Sequence, residues 1–152
     1  MLDISQFRTA IIRPALETIG LYSLAAEELV LGTALQESGL RYLEQLGDGP
    51  ALGLFQMEPA THDDIQTNFL AYRPELLSSL RMLSHLTIPL MLVGNLWYAA
   101  AMCRIHYYRA PEALPEAGQI NAQASLWKLR YNTPAGKGTA AEYVANWNRY
   151  LT

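Results

Sequence analysis

Leu86-Thr-Ile-Pro-Leu-Met-Leu-Val-Gly-Asn-Leu-Trp-Tyr-Ala-Ala-Ala-Met-Cys103 runs for eighteen residues without a formal charge. Length alone makes it a candidate membrane span. Thr87, Pro89, Gly94 and Asn95 interrupt it, and Arg104 and His106 follow at once. A helix apolar on every side can equally be the buried central helix of a globular domain. We take that second reading, with the helix over Pro89–Tyr108 and no membrane span.

The rest of the composition agrees with a packed domain. The chain has 152 residues, which suits a single domain over 1–152. Hydrophobic residues are 51% and charged residues 16%, against a usual charged share of about 25%, so long disorder is excluded. Net charge is −3, the only lysines are Lys128 and Lys137, and no basic run exists to track a phosphate backbone. Nucleic-acid binding is therefore not expected. The single cysteine, Cys103, excludes an intramolecular disulfide and any multi-cysteine metal site. Met1-Leu-Asp-Ile-Ser-Gln-Phe-Arg8 has no basic start followed by an apolar run and does not read as a secretory signal.

Helical periodicity dominates on both sides of the central stretch. Ile4, Phe7, Ile11 and Leu16 to Ile19 predict a first helix, kinked at Pro14 and stopped at Gly20. Ser23 caps a second helix from Leu24 to Gln36 or Ser38, ended by Gly39. Leu46 to Pro59 holds Gly47, Gly49, Pro50 and Gly53 and reads as loop, with a short extended piece over Leu52–Met57. Pro59 and Pro74 suit first helical positions, giving short helices near 59–70 and 74–84. Residues 119–131 read as helix and Asn132 to Gly138 as loop. Thr139-Ala-Ala-Glu142 is a capping box that starts the last helix. The predicted fold is mostly α, with at most one small β-hairpin.

Several chemistries have no support. There is no GxxxxGK[ST], GxGxxG or HExxH pattern, and no metal or cofactor is expected. His62-Asp63-Asp64 reads as an acidic patch in the first turn of a helix, where it complements the macrodipole. His85 and His106 read as ordinary surface or core histidines, and Cys103 as a small hydrophobe.

Glu37 is the informative residue. It ends an apolar helix in Ala34-Leu-Gln-Glu-Ser-Gly39. Partial burial and the negative end of the helix dipole would both raise its pKa. A carboxyl kept protonated near neutral pH is what a general acid needs. Downstream, Gly53 allows close backbone approach to a ligand, and Gln56 offers amide donors and a carbonyl acceptor suited to sugar hydroxyls and N-acetyl groups. Tyr131 and Asn132 stand at a helix-to-loop edge, where binding groups are often presented.

The ordered set Glu37-Ser38, Gly53-Leu-Phe55-Gln56 and Tyr131-Asn132, followed by a glycine-containing loop and a Tyr143-Val helix, resembles lytic transglycosylases and goose-type lysozymes. Their pattern runs Glu-Ser, Gly-Leu-Met-Gln and Ala-Tyr-Asn-Ala-Gly. The resemblance spans roughly residues 24–150, including the central helix. It implies a lysozyme-like α+β fold and cleavage of the β-1,4 bond between N-acetylmuramic acid and N-acetylglucosamine in peptidoglycan. By the same resemblance Glu37 is the single acid/base of a reaction that closes a 1,6-anhydro ring. Gln56 and Tyr131 would line the sugar site, with Tyr131 holding Glu37 or the N-acetyl group, and Ser38 would support the motif's geometry.

The departures are Phe55 for methionine, Arg130 for alanine before Tyr131, and Thr133-Pro134 for Ala-Gly after Asn132. Asp48 lies nearest to where a serine is common ahead of the second motif. It reads either as a turn residue between Gly47 and Gly49 or as a second carboxylate that activates water in an inverting hydrolase. A non-catalytic glycan-binding or structural module of the same fold is the rival from another class. A membrane-associated helical protein is a third. A substrate outside the cytoplasmic membrane, with no signal at the start of the chain, fits a phage source. It also fits a protein delivered by a secretion apparatus, with a partner for anchoring.

Overall fold

The computed structural model describes residues 1–151, and the fold is mostly α. Helix α1 is one rod in three windings: α over Ile4–Gln6, π over Phe7–Ile12 and α over Arg13–Thr18. The expected kink at Pro14 is thus a change of winding. Pro14 has no N–H for the carbonyl of Ala10, its partner in α-helical register. The indole N–H of Trp97 donates to that carbonyl instead, at 2.8 Å. Trp97→Phe removes this donor. We expect it to cost about 1 kcal/mol in urea unfolding, with the far-UV spectrum unchanged.

Helix α2 (Leu24–Ser38) begins where Ser23 Oγ accepts from Ala26 N at 3.1 Å and ends at Gly39, which is left-handed with φ +58°. Leu29, Val30, Leu31 and Ala34 are all fully buried, so α2 is surrounded. The equally buried Glu27 ties α2 to α1. Its carboxylate accepts from Arg8 Nε at 2.7 Å, Arg13 Nε at 3.1 Å and Tyr22 OH at 3.0 Å.

Pro59 and Pro74 open α3 (Pro59–Asn68) and α4 (Pro74–Arg81), as their fixed φ favours. The central stretch departs from expectation. A single turn, α5 (Met91–Gly94), is separated from α6 (Leu96–Tyr108) by extended Asn95, with φ −134° and ψ 101°. Asn95 Oδ1 accepts from Tyr98 N at 2.9 Å while its amide donates to Leu83 O at 2.8 Å, so the residue caps a new helix. The central helix therefore has 13 residues rather than the twenty of Pro89–Tyr108. Among the described residues no helix is long and apolar enough to cross a membrane.

Helix α7 (Ile120–Leu126) continues into a π-helical segment, Trp127–Asn132. Helix α8 (Ala140–Leu151) starts at the capping box, with Thr139 N donating to Glu142 Oε2 at 2.9 Å and Glu142 N to Thr139 Oγ1 at 3.2 Å. Tyr143 of α8 lies so close to Gly32 that a Cβ there would sit 1.9 Å from its hydroxyl. This is how α8 reaches the backbone of α2. The expected hairpin is reduced to isolated bridges, Glu44 with Leu52 and Leu52 with Met57. Within this frame α2 packs against α6 and α8, and α6 against α1. The C-terminal end of α2 faces the irregular 40–58 segment and the π-helical end of α7.

Candidate active site

Glu37 sits in the last turn of α2, part-buried at the floor of a cleft of about 500 Å³. The same cleft is lined by Gln56, Tyr131 and Asn132, so three of the separated sequence motifs meet there. Burial pushes the Glu37 carboxyl from its ordinary 4.5 up to about 7. Desolvation penalises the carboxylate, and this outweighs the one group that favours it. That group is Trp127, whose Nε1 donates to Glu37 Oε1 at 2.9 Å. The burial expected from the apolar helix is therefore the operative cause, and about half the carboxyl is protonated at pH 7.

Ser38 does not face the cleft. Its hydroxyl is buried, lies 2.7 Å from Leu54 O and 3.2 Å from Ala34 O, and accepts from Leu40 N at 3.2 Å. It pins the 53–56 turn to the end of α2, which is a supporting role. Gly53 also serves the protein rather than a ligand. Its φ is +75°, and a Cβ would lie 2.1 Å from the carbonyl oxygen of Leu92. Phe55 is buried against Phe7, with ring centroids 6.1 Å apart, and contributes its backbone carbonyl instead of its ring. Tyr131 OH donates to that carbonyl at 2.7 Å.

The Tyr131 hydroxyl is thus committed to the backbone, and Trp127, not Tyr131, holds Glu37. The Tyr131 ring stacks on Tyr107 at 5.5 Å and meets His106 edge-on at 5.0 Å, which fixes it as a rigid wall. Gln56, at φ +48°, donates from Nε2 to Gly53 O at 2.9 Å and presents the rest of its amide to the cleft.

Lys128 secures the last wall. Its ammonium donates to Asn132 Oδ1 at 2.7 Å and to Gly136 O at 2.8 Å, spanning the turn between them. Thr133 inside that turn holds φ +73° and ψ 154°, a region other residues leave almost wholly to glycine. Arg130 is not in the cleft lining and pairs with Glu112.

Asp48 is the expected site residue that the structure leaves out. It is exposed, takes φ +64° and does not line the cleft. Its geometry is that of a turn between two glycines. The second carboxylate in the cleft lining is Glu58, the residue before Pro59.

Sequence reasoning passed over Trp127 and read His106 only as an ordinary surface or core histidine. Trp127 stands four residues before Tyr131, a spacing that places two aromatics on one helical face. That signal was available. Nothing local revealed that its partner would be Glu37. His106 lines the cleft, and burial, helped by the neighbouring Arg109, pushes it down to about 4. It is therefore neutral at physiological pH and a hydrogen-bonding group, not a charge.

His62 is buried and hydrogen-bonds Tyr98 OH at 2.7 Å. Asp63 and Asp64 lie beyond the first turn of α3, facing His62 and Arg109 rather than the helix dipole. Among the described residues no group of three or more His, Cys, Asp or Glu could hold a metal ion.

Trp127→Phe removes the donor that favours the Glu37 carboxylate. We expect the Glu37 pKa to move further above 7, read by carboxyl NMR titration.

No family model matches this chain, and no curated protein and no solved structure matches it.

Proposed function

We propose that the protein cleaves the β-1,4 bond between N-acetylmuramic acid and N-acetylglucosamine in peptidoglycan, by lytic transglycosylation with Glu37 as the acid/base. The observation that carries this reading is a carboxyl raised to about 7 at the floor of a cleft it shares with Gln56, Tyr131 and Asn132. Protonated Glu37 donates its proton to the glycosidic oxygen as the bond to the muramyl C1 breaks. The resulting carboxylate takes the proton of the muramyl C6 hydroxyl as that oxygen bonds C1 and closes the 1,6-anhydro ring. The substrate's own N-acetyl group assists, so one enzyme carboxylate suffices. Trp127 steadies the carboxylate between the two proton transfers. Gln56 and Asn132 supply amides for sugar hydroxyls and N-acetyl groups, and the Tyr131 ring forms a flat wall. On this reading the protein acts on the bacterial wall, carried in a virion or released from a host cytoplasm.

The test is a muropeptide digest of purified sacculi, read by mass spectrometry. Anhydro ends are expected. Reducing ends would replace transglycosylation by hydrolysis, for which Glu58 is the carboxylate lining the cleft. Binding to sacculi without release of muropeptides would favour the non-catalytic glycan-binding module instead. Asp48→Asn should leave both the product and the rate within about twofold of the parent, since Asp48 lies on an exposed turn outside the cleft. A large loss would return Asp48 to the reaction.

A further inference from the structure

Glu37 lies at a junction. A second cavity of about 510 Å³ opens on its other side, and Glu37, Gln45 and Gln56 line both. The two cavities adjoin at these residues, and we treat them as the halves of one groove with the acid at the join. The halves differ in chemistry. The first carries the Glu58 carboxylate, neutral His106 and the Asn132 amide. The second carries two guanidinium groups, Arg41 and Arg149, and two phenols, Tyr42 and Tyr150, with Glu44 the one further carboxylate in its lining.

Both arginines are exposed, and among the described residues neither is in an ion pair. Arg149 lies over the Tyr150 ring at 5.4 Å, and Tyr42 is 43% exposed, which leaves an aromatic face for a ligand. They come from opposite ends of the chain. Arg41 follows the end of α2, and Arg149 is in the last turn of α8. Unpaired guanidinium groups beside aromatic faces suit a ligand that carries carboxylates on an otherwise neutral frame.

We infer that this second half of the groove binds the carboxylate-bearing peptide stem of the glycan strand on that side of the scissile bond, with Arg41 and Arg149 pairing its carboxylates. The inference rests on the glycan-cleaving reading and adds to it the part of the substrate that is not sugar. It also gives the groove a direction, because only the second half has guanidinium groups in its lining, the Lys128 ammonium of the first being bonded to Asn132 and Gly136. The protein's net charge of −3 gives no long-range pull on an anionic wall, so this attraction is local and short-ranged.

The test compares two substrates, stem-bearing glycan strands and the same strands stripped of their stems by an amidase. The readout is the ratio of kcat/KM on the first to kcat/KM on the second. For Arg41→Gln and Arg149→Gln, each at an exposed position that folding tolerates, the ratio is expected to fall, and in the double variant about tenfold. Added salt should lower the parent's ratio and leave the double variant's ratio flat. A ratio unchanged by the double variant overturns the inference while the glycosidase reading stands. Failure of the parent to cleave either strand overturns that reading and the inference with it.

Discussion

Glu37→Gln should lower muropeptide release by about 10²–10⁴-fold while the protein folds normally. The amide keeps the shape of the carboxyl and can still meet the indole of Trp127, but it has no proton to give. Undiminished lysis of chloroform-treated Gram-negative cells by the variant would sink the assigned role. The parent's pH profile carries a linked expectation. The acid form starts the reaction, so the rate should decline as pH rises through about 7, where burial has placed this carboxyl.

The same substitution should stabilise the protein at alkaline pH. Glu37 titrates at about 7 in the folded chain, against an ordinary 4.5. Between those values the folded chain holds a proton that the unfolded chain has released, so stability falls as pH rises through that window. Above it the parent bears the whole cost of a buried carboxylate. That cost is on the order of 2–3 kcal/mol, reduced by the cleft's opening to solvent. Glutamine bears none of it. The variant's advantage in urea unfolding should thus be large at pH 8 and small at pH 4. An equal difference at both would show that Glu37 is not desolvated. A gain in stability paired with a loss of rate is the signature of a group placed for chemistry rather than for folding.

Gly53→Ala should be strongly destabilising. Its φ of +75° is costly for any residue with a Cβ, and the added atom would lie 2.1 Å from Leu92 O. A clash with backbone cannot be relieved by a rotamer change. The expected cost is about 2–5 kcal/mol, combining left-handed strain with overpacking. Activity should fall with it, because the Gly53 carbonyl accepts from both Gln56 N at 3.1 Å and Gln56 Nε2 at 2.9 Å. Urea unfolding of Gly53→Ala reads the first effect and residual muropeptide release the second. A cost below about 1 kcal/mol would mean that α5 yields easily to the turn.

Much of the fold was legible because its signals are local. Ser23, Gly39, Pro59, Pro74 and the Thr139–Glu142 box mark helix ends where the structure has them. Each acts through backbone groups within a turn of itself. The break at Asn95 was misread for the opposite reason. Hydropathy counts the stretch as uniform, while Asn95 finds a donor three residues ahead and an acceptor at Leu83, twelve residues back. The π winding of Phe7–Ile12 gives way to α winding beside Pro14, which is in plain view. The group that meets the freed carbonyl is Trp97, which is not.

The candidate site divides the same way. The amino-acid sequence by itself determined that Glu37 closes an apolar helix and that amide-bearing and aromatic residues follow it along the chain; burial of the uncharged stretch is confined to Leu92 and Tyr98–Cys103, while Leu86, Ile88, Leu90 and Trp97 are exposed. Only the tertiary structure decided which of those residues face one another. It gave Glu37 its indole partner from 90 residues away, tied Tyr131 to the Phe55 carbonyl, and turned Ser38, Gly53 and the Phe55 ring inward. It also left Asp48 outside the cleft and put Glu58 in its lining. The physical reason is range. Caps, prolines and periodicity act over a few residues of backbone. A carboxyl's pKa and a cleft's lining depend on whatever distant chain the packing brings within a few ångströms.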